Sequence, residues 1–334
     1  MPSKIKELTQ GMAMIVTDLH GDWNAYQSYR NCFLELYKHK KVDYFILCGD
    51  YVHNDNTELD SSLEILQDLQ DLQMKYGNEV IIPLCGNHEF PHIYNIPLMR
   101  GSQDCTSFLE KKILQLENKK LDATITFLKS SPFYIRTLAG VMIAHAGAHK
   151  VPAQKKNVSI LTNWDHDAFI LEIEKYMNKA GRENLKQDYQ STLMVDYDYL
   201  AELFFGAKGP NDRNYYHLLR SYIFHQNPKF SLLWHTLFTK NEQEFGEQEY
   251  CNIILPMFLE TWSQNAPAKQ SWLVSGHIAT ENGYKVVGEQ QLRIASFSHA
   301  TPPNSGKYLL LDCKNKQMSM KSLLAGLQSL PHFI

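Results

Sequence analysis

"YFILCGDYVHNDN", Tyr44 to Asn56, changes character halfway along. Tyr44 to Cys48 is a short apolar run, the pattern of a strand buried on both faces, and it opens at Gly49 into a polar loop carrying Asp50 and His53. The same design recurs. Met12 to Thr17 (MAMIVT), Val80 to Cys85 (VIIPLC), Val141 to Ala144 (VMIA) and Trp272 to Ser275 (WLVS) are apolar runs of strand length, each followed by residues able to hold a metal. In order, the strand ends read Asp18-Leu19-His20, Gly49-Asp50, Gly86-Asn87-His88-Glu89, His145-Ala146-Gly147 and Gly276-His277. Between the early runs, Trp23 to Lys40 and Thr57 to Tyr76 repeat Leu, Ile and aromatics at helical spacing, the second with Asn56 or Asp60 as cap and Gly77 as stop. Strands alternating with helices predict crossover connections and an α/β sheet, whose ligands gather where strand ends open onto loops.

Singly, these motifs say little. Gly-Asp and Gly-Asn are common turn dipeptides, and a lone buried histidine is ordinarily a hydrogen-bonded core residue. Jointly they bring two aspartates, an asparagine and several imidazoles to one sheet edge. Carboxylates and imidazoles without a thiolate suit Mn²⁺, Fe or Zn²⁺ better than a closed structural zinc site.

With 334 residues, 44% hydrophobic and 21% charged, the chain can bury a substantial core. A net charge of -3 gives no electrostatic reason to expect nucleic acid or an anionic membrane as partner. No apolar run reaches the roughly 20 residues of a membrane span, and MPSKIKELTQ at the start lacks the apolar core of a secretion signal. The six cysteines are scattered without a CxxC pair, which suits free thiols in a reducing compartment and leads to the expectation of a cytoplasmic protein.

The series DLHGD, GDYV, CGNHE, HAG and SGHIATENGY resembles the phosphoprotein phosphatase branch of the calcineurin-like metallophosphoesterases, whose series runs GDxHG, GDxVDRG, RGNHE, HGG and a histidine near DGY. The order holds from Asp18 to Asp312. Leu232-Leu233-Trp234 resembles a further landmark, and Ala295 to Ser298 followed by Tyr308 to Asp312 resembles the closing strands. The resemblance implies a single α/β domain over 10–334, a two-sheet sandwich flanked by helices; the extra length between His145 and His277 departs from the family and is expected to be a helical insertion at 150–230. It implies two divalent metal ions, Mn²⁺ first, with Fe or Zn²⁺ as alternatives. Asp18 and His20 would hold one, Asn87, His145 and His277 the other, and Asp50 would bridge them. His88 corresponds to the general acid that protonates the departing alkoxide, a task suited to an imidazole.

The activity implied is hydrolysis of a phosphomonoester, with phosphoserine or phosphothreonine of a phosphorylated protein as the leading substrate. Phosphotyrosine, a dinucleoside polyphosphate or another small phosphoester are the enzymatic alternatives, and a phosphate-binding scaffold without turnover is the alternative of another class. Oligomeric state is left open.

The chain departs from the family pattern where phosphate is gripped. His53 and Asn54 stand where an aspartate and an arginine are expected, Cys85 replaces the arginine before GNHE, and EQEYC follows the Leu-Leu-Trp landmark without an arginine. Loss of a bidentate arginine clamp calls for another cation, with Arg30, Arg100 and Arg213 as candidates. His53 or Asp55 is left to position His88. His39, His92, His166, His217, His225 and His332 are expected to be surface or incidental residues. His149 and His299 lie near the motif loops and receive no role. Cys48 and Cys85 are expected to be packing residues. Asp165 to Tyr222, with FILEIEKYMNKA and YDYLAELFFGA, reads as the solvated helical insertion.

Overall fold

The apolar runs become the central strands of two sheets. The computed structural model describes residues 3–100, 103, 104, 106, 109, 110, 112, 118–212, 214–317 and 319–330. Its chain divides into two compact units, the first comprising residues up to 89 with 130–164 and 234–334, the second 90–129 with 165–233.

In the first unit, β1 (Ile5–Leu8), β2 (Met12–Val16), β3 (Tyr44–Leu47), β4 (Ile81–Pro83), β5 (Tyr134–Thr137), β6 (Val141–Ala144), β7 (Trp272–Ser275), β8 (Tyr284–Val287), β9 (Gln291–Ile294), β10 (Lys307–Asp312) and β11 (Leu327–Ser329) form the two sheets. One has the order β11-β10-β2-β3-β4, the other β1-β5-β6-β7-β9-β8. β2, β3 and β4 are mutually parallel, with Ile15 opposite Ile46 and Ile46 opposite Ile82. β6, β7 and β9 are parallel likewise. Parallel neighbours present their carboxyl ends together, which is why residues distant in sequence meet at one edge. Ala295 to Ser298 is a loop after β9 and not a strand, while the second expected closing run is β10.

Alternation along the strands decides which side chains meet. Ala13, Ile15, Ile46, Ile82, Leu309 and Leu311 of one sheet share a buried cluster with Ile135, Val141, Ile143, Val274, Leu292 and Ile294 of the other. The opposite face of the first sheet takes the helices: Phe45 of β3 stacks on Phe33 of α1 (Trp23–Lys38), ring centroids 4.7 Å apart. α2 (Ser62–Tyr76) stops at Gly77 as expected, with φ 95°. Ser61 holds the N-cap position without a side-chain bond to the helix, while the carboxylate of Asp60 accepts hydrogen bonds from Asn54 N and the Ser62 hydroxyl, and Asn56 accepts from Glu58 N.

The second unit is largely helical. FILEIEKYMNKA lies in the helix His166–Ala180 and YDYLAELFF forms Tyr197–Phe205. Tyr94 packs edge to face on Phe169 and on Phe224, and it hydrogen-bonds His166 at 2.6 Å. His92 and His166 are thus buried rather than on the surface, while His39 is exposed beside Glu35; His332 lies outside the described residues. Among the described residues no helix is long and apolar enough to cross a membrane.

Candidate metal centre

Asp18 and His20 follow β2, Asp50 and His53 follow β3, Asn87, His88 and Glu89 follow β4, His145 follows β6 and His277 follows β7. All belong to the first unit. Asp18, His20, Asp50, His53 and His277 have positive φ, from 44° to 69°. That left-handed region costs a residue with a side chain on the order of 1 kcal/mol, so its concentration here marks loops held to a purpose. Backbone bonds hold them: Asp18 N–H donates to Gly49 O at 3.2 Å, His20 N–H to Asp50 O at 2.8 Å and Gly21 N–H to Tyr51 O at 3.1 Å. The Asp18 carboxylate accepts from His277 N–H at 3.0 Å to each oxygen, and Asp50 Oδ1 accepts from His88 N–H at 2.9 Å. A Cβ on Gly276 would stand 2.0 Å from Asp18 Oδ2, and one on Gly86 would stand 2.4 Å from Asp50 Oδ1, so both approaches require glycine.

Glu89, quoted in the sequence motif without a role, ties two of these loops together. Its Oε2 accepts from Asp50 N–H and Gly86 N–H, both at 2.8 Å, and its Oε1 from Tyr51 N–H at 2.9 Å and Val52 N–H at 3.3 Å. Burial, then the adjacent Asp50 carboxylate, push Glu89 up to about 7 against the pull of these amides. A cation on Asp50 removes the second of those causes.

Three groupings of potential ligands follow one another across the edge: Asp18, His20 and His299; His20, Asp50 and His88; and Asp50, His145 and His277, each with its donor atoms within 4.8 Å. The expected residues are therefore brought together, with His299 an addition that sequence reasoning left without a role. The hydrogen bonding tests whether metal ions fit. His145 Nδ1 lies 2.7 Å from Cys48 O, which only accepts, so Nδ1 carries the proton. In the neutral ring, Nε2 then turns a lone pair toward Asn87 Oδ1 at 2.8 Å and Asp50 Oδ1 at 3.5 Å. Three buried lone pairs facing one another call for a cation among them, and a backbone carbonyl on the far ring nitrogen is the usual support of a metal-binding histidine. His277 completes the picture: its Nδ1 is buried without a hydrogen-bond partner, and burial, with nearby His145, His299, Arg293 and Lys240, pushes it well below its ordinary value, leaving a neutral ring. Asp18 and Asp50 are buried carboxylates on adjoining loops, an arrangement that favours compensating positive charge. The donor set fits divalent metals. Cys48 and Cys85 are fully buried, which raises both thiols and leaves them as packing groups.

His88 adjoins this centre, its Nε2 3.9 Å from Asp50 Oδ2. Its Nδ1 faces His53 Nδ1 at 3.1 Å, whereas Asp55 is exposed. The backbone of His53 is fixed in turn by Ser62 Oγ at 2.6 Å. Of the candidate arginines, Arg30 is engaged elsewhere, forking onto Asp68 with bonds of 2.6 and 2.9 Å between α1 and α2. The side chain of Arg100 and the whole of Arg213 lie outside the described residues.

The 239–244 segment carries a lysine near the loops of this centre, the last-named of the charges that lower His277. Asn241, buried and at positive φ, donates through Nδ2 to Ala146 O at 3.2 Å, fastening this segment to the loop after His145. The neighbouring Lys240 is exposed, and its ammonium makes no ion pair among the described residues. Glu242 forks onto Arg293 at 2.9 and 2.6 Å; burial alone would raise it, but Arg293 and Lys285 hold it down at about 2.

His149 stacks on His235 with centroids 4.0 Å apart and faces Glu244 at 3.4 Å. Because its Nδ1 accepts from Val151 N–H at 3.0 Å, its Nε2 carries the proton toward Glu244 and offers no lone pair there. Burial and His235 push His149 down to about 4.

A model of the calcineurin-like phosphoesterase family matches residues 13–294. No curated protein matches the sequence significantly. Among solved structures, the chain is similar to a protein serine/threonine phosphatase from Saccharomyces cerevisiae described as similar to human phosphatase PP5, at 14% identity and TM-score 0.49, covering 93% of this chain and 77% of that one. It is also similar to a cold-active protein-tyrosine phosphatase of a psychrophile, Shewanella sp., at 16% identity and TM-score 0.42, covering 94% and 78%. Likeness at these levels transfers no substrate.

Proposed function

The chain belongs to the calcineurin-like phosphoesterase family, and on that premise we propose that it is a dinuclear-metal phosphomonoesterase acting on phosphoserine or phosphothreonine in proteins. The observation that carries the metal reading is the convergence of His145 Nε2, Asn87 Oδ1 and Asp50 Oδ1, with the far ring nitrogen of His145 turned to Cys48 O. In this reading Asp18 and His20 hold one ion, Asn87, His145 and His277 the other, and Asp50 spans both. Two such ions supply Lewis acidity toward the phosphoryl oxygens and an activated water, with Mn²⁺ the first expectation and Fe or Zn²⁺ the alternatives.

The protein's own groups do the rest. His88 gives its Nε2 proton to the departing alkoxide; in the form able to do so its Nδ1–H donates to His53, which fixes the ring plane. Asn87, neutral, keeps the total ligand charge low enough for a phosphate dianion to approach. Lys240, whose charge is felt at His277 and whose neighbour Asn241 is tied to the loop after His145, is the candidate for the positive charge that the absent arginines would have given.

The experiment is a substrate panel with the Mn²⁺-loaded protein: phosphoserine, phosphothreonine and phosphotyrosine peptides beside dinucleoside polyphosphates and simple phosphate esters. The proposal expects the phosphoserine and phosphothreonine peptides to show kcat/KM at least about tenfold above the others, a difference of roughly 1.4 kcal/mol in transition-state binding. Preference for phosphotyrosine or a dinucleoside polyphosphate would replace the substrate assignment, and phosphate binding without turnover would favour the scaffold.

A further inference from the structure

Beyond the family's ligand set, the loop after β9 brings one more imidazole to the centre. Ser296 Oγ donates to Asp18 O at 2.7 Å, Ser298 Oγ donates to Asp22 Oδ2 at 3.2 Å, and His299 N–H donates to Ser296 O at 3.1 Å. These bonds lash the 296–299 turn to the loop bearing Asp18 and His20. The His299 ring then lies 4.8 Å from that of His20, centroid to centroid. A ring nitrogen of His299 falls within 4.8 Å of donor atoms of both Asp18 and His20. Its Nε2 is buried and has no hydrogen-bond partner. A buried imidazole nitrogen left unbonded is unfavourable, a cost that metal ligation would remove.

We propose that His299 is a protein ligand of the metal ion held by Asp18, His20 and Asp50. The inference rests on the dinuclear reading and extends it. With His299 in place, the two halves match: each has the shared Asp50, one further oxygen donor, Asp18 or Asn87, and two imidazoles, His20 and His299 or His145 and His277. Adding an imidazole moves the first position away from the oxygen-rich sets that suit Mg²⁺ and Mn²⁺ and toward those that suit Zn²⁺ and Fe. One coordination position fewer is left to solvent or substrate.

The test is metal binding, independent of turnover. Metal-stripped wild type, His299→Ala and His299→Gln are titrated with Zn²⁺ and separately with Mn²⁺ against a chromophoric chelator, with His277→Ala marking the other position and circular dichroism confirming fold. Wild type is expected to take two equivalents, and each His299 variant to keep one at wild-type affinity while losing roughly 100-fold in Zn²⁺ affinity at the other, with a smaller loss for Mn²⁺. Two unchanged equivalents in a folded His299 variant would overturn this proposal alone. No uptake by wild type would overturn the dinuclear reading and this proposal with it.

Discussion

Glu89→Ala removes the acceptor for four backbone N–H groups, those of Asp50, Tyr51, Val52 and Gly86. All four residues are buried, so the donors have no direct route to solvent. Three of the bonds are short, at 2.8 to 2.9 Å, and the fourth, at 3.3 Å, is weak. At about 1 kcal/mol for each short bond, the loss is about 3 kcal/mol, with water admitted to the vacated space holding it below the full desolvation penalty. The consequence reaches function as well as stability, because these amides set the spacing between the loop carrying Asp50 and the loop carrying Asn87. Disturbing such supporting bonds typically weakens metal binding by about 10- to 100-fold. Urea denaturation of the metal-free protein, followed by circular dichroism, measures the first quantity; competition with a chelator measures the second. A stability loss below about 0.5 kcal/mol together with unchanged metal affinity would refute Glu89 as the tie between the loops.

His88→Asn should lower kcat by about 10²- to 10⁴-fold while leaving both metal equivalents bound, measured by steady-state kinetics beside metal analysis. Lys240→Ala should raise KM for a phosphate ester by roughly tenfold with kcat nearly unchanged, and should flatten the dependence of KM on ionic strength. Glu242, held down from 4.5 to about 2 in the folded protein, contributes stability that is present above pH 4.5 and lost as pH falls toward 2. The difference is worth about 3 kcal/mol, so acid denaturation of Glu242→Gln should be flatter across that window than that of wild type.

The strands were legible because each is a buried apolar run ending in a polar loop: the expected Val141 to Ala144 and Trp272 to Ser275 are found with those bounds. Their shared destination was legible from the same residues, since parallel strands offer their ends together. What stayed hidden depends on contacts across the chain. Asp60 does not cap α2 because its carboxylate is drawn back to Asn54 and Ser62, a choice set by the fold of the loop. His166 looked solvent-facing in a charged helical stretch, yet its partner Tyr94 lies 72 residues away. His299 follows no apolar strand run directly; "SFSHA" carries no metal signature, and only its serines' bonds to Asp18 and Asp22 bring it to the centre. His53 was one of two residues left to steady His88; its ring approaches that of His88 to 3.1 Å, while Asp55 is exposed.

The most direct measurement is hydrolysis of para-nitrophenyl phosphate by metal-stripped protein, with and without added Mn²⁺, beside Asp50→Asn. The two-ion account predicts negligible turnover without metal, restoration by Mn²⁺ in wild type, and a loss of at least about 10³-fold in Asp50→Asn, whose neutral amide cannot span two cations. Equal turnover with and without metal, or full activity in Asp50→Asn, would contradict it.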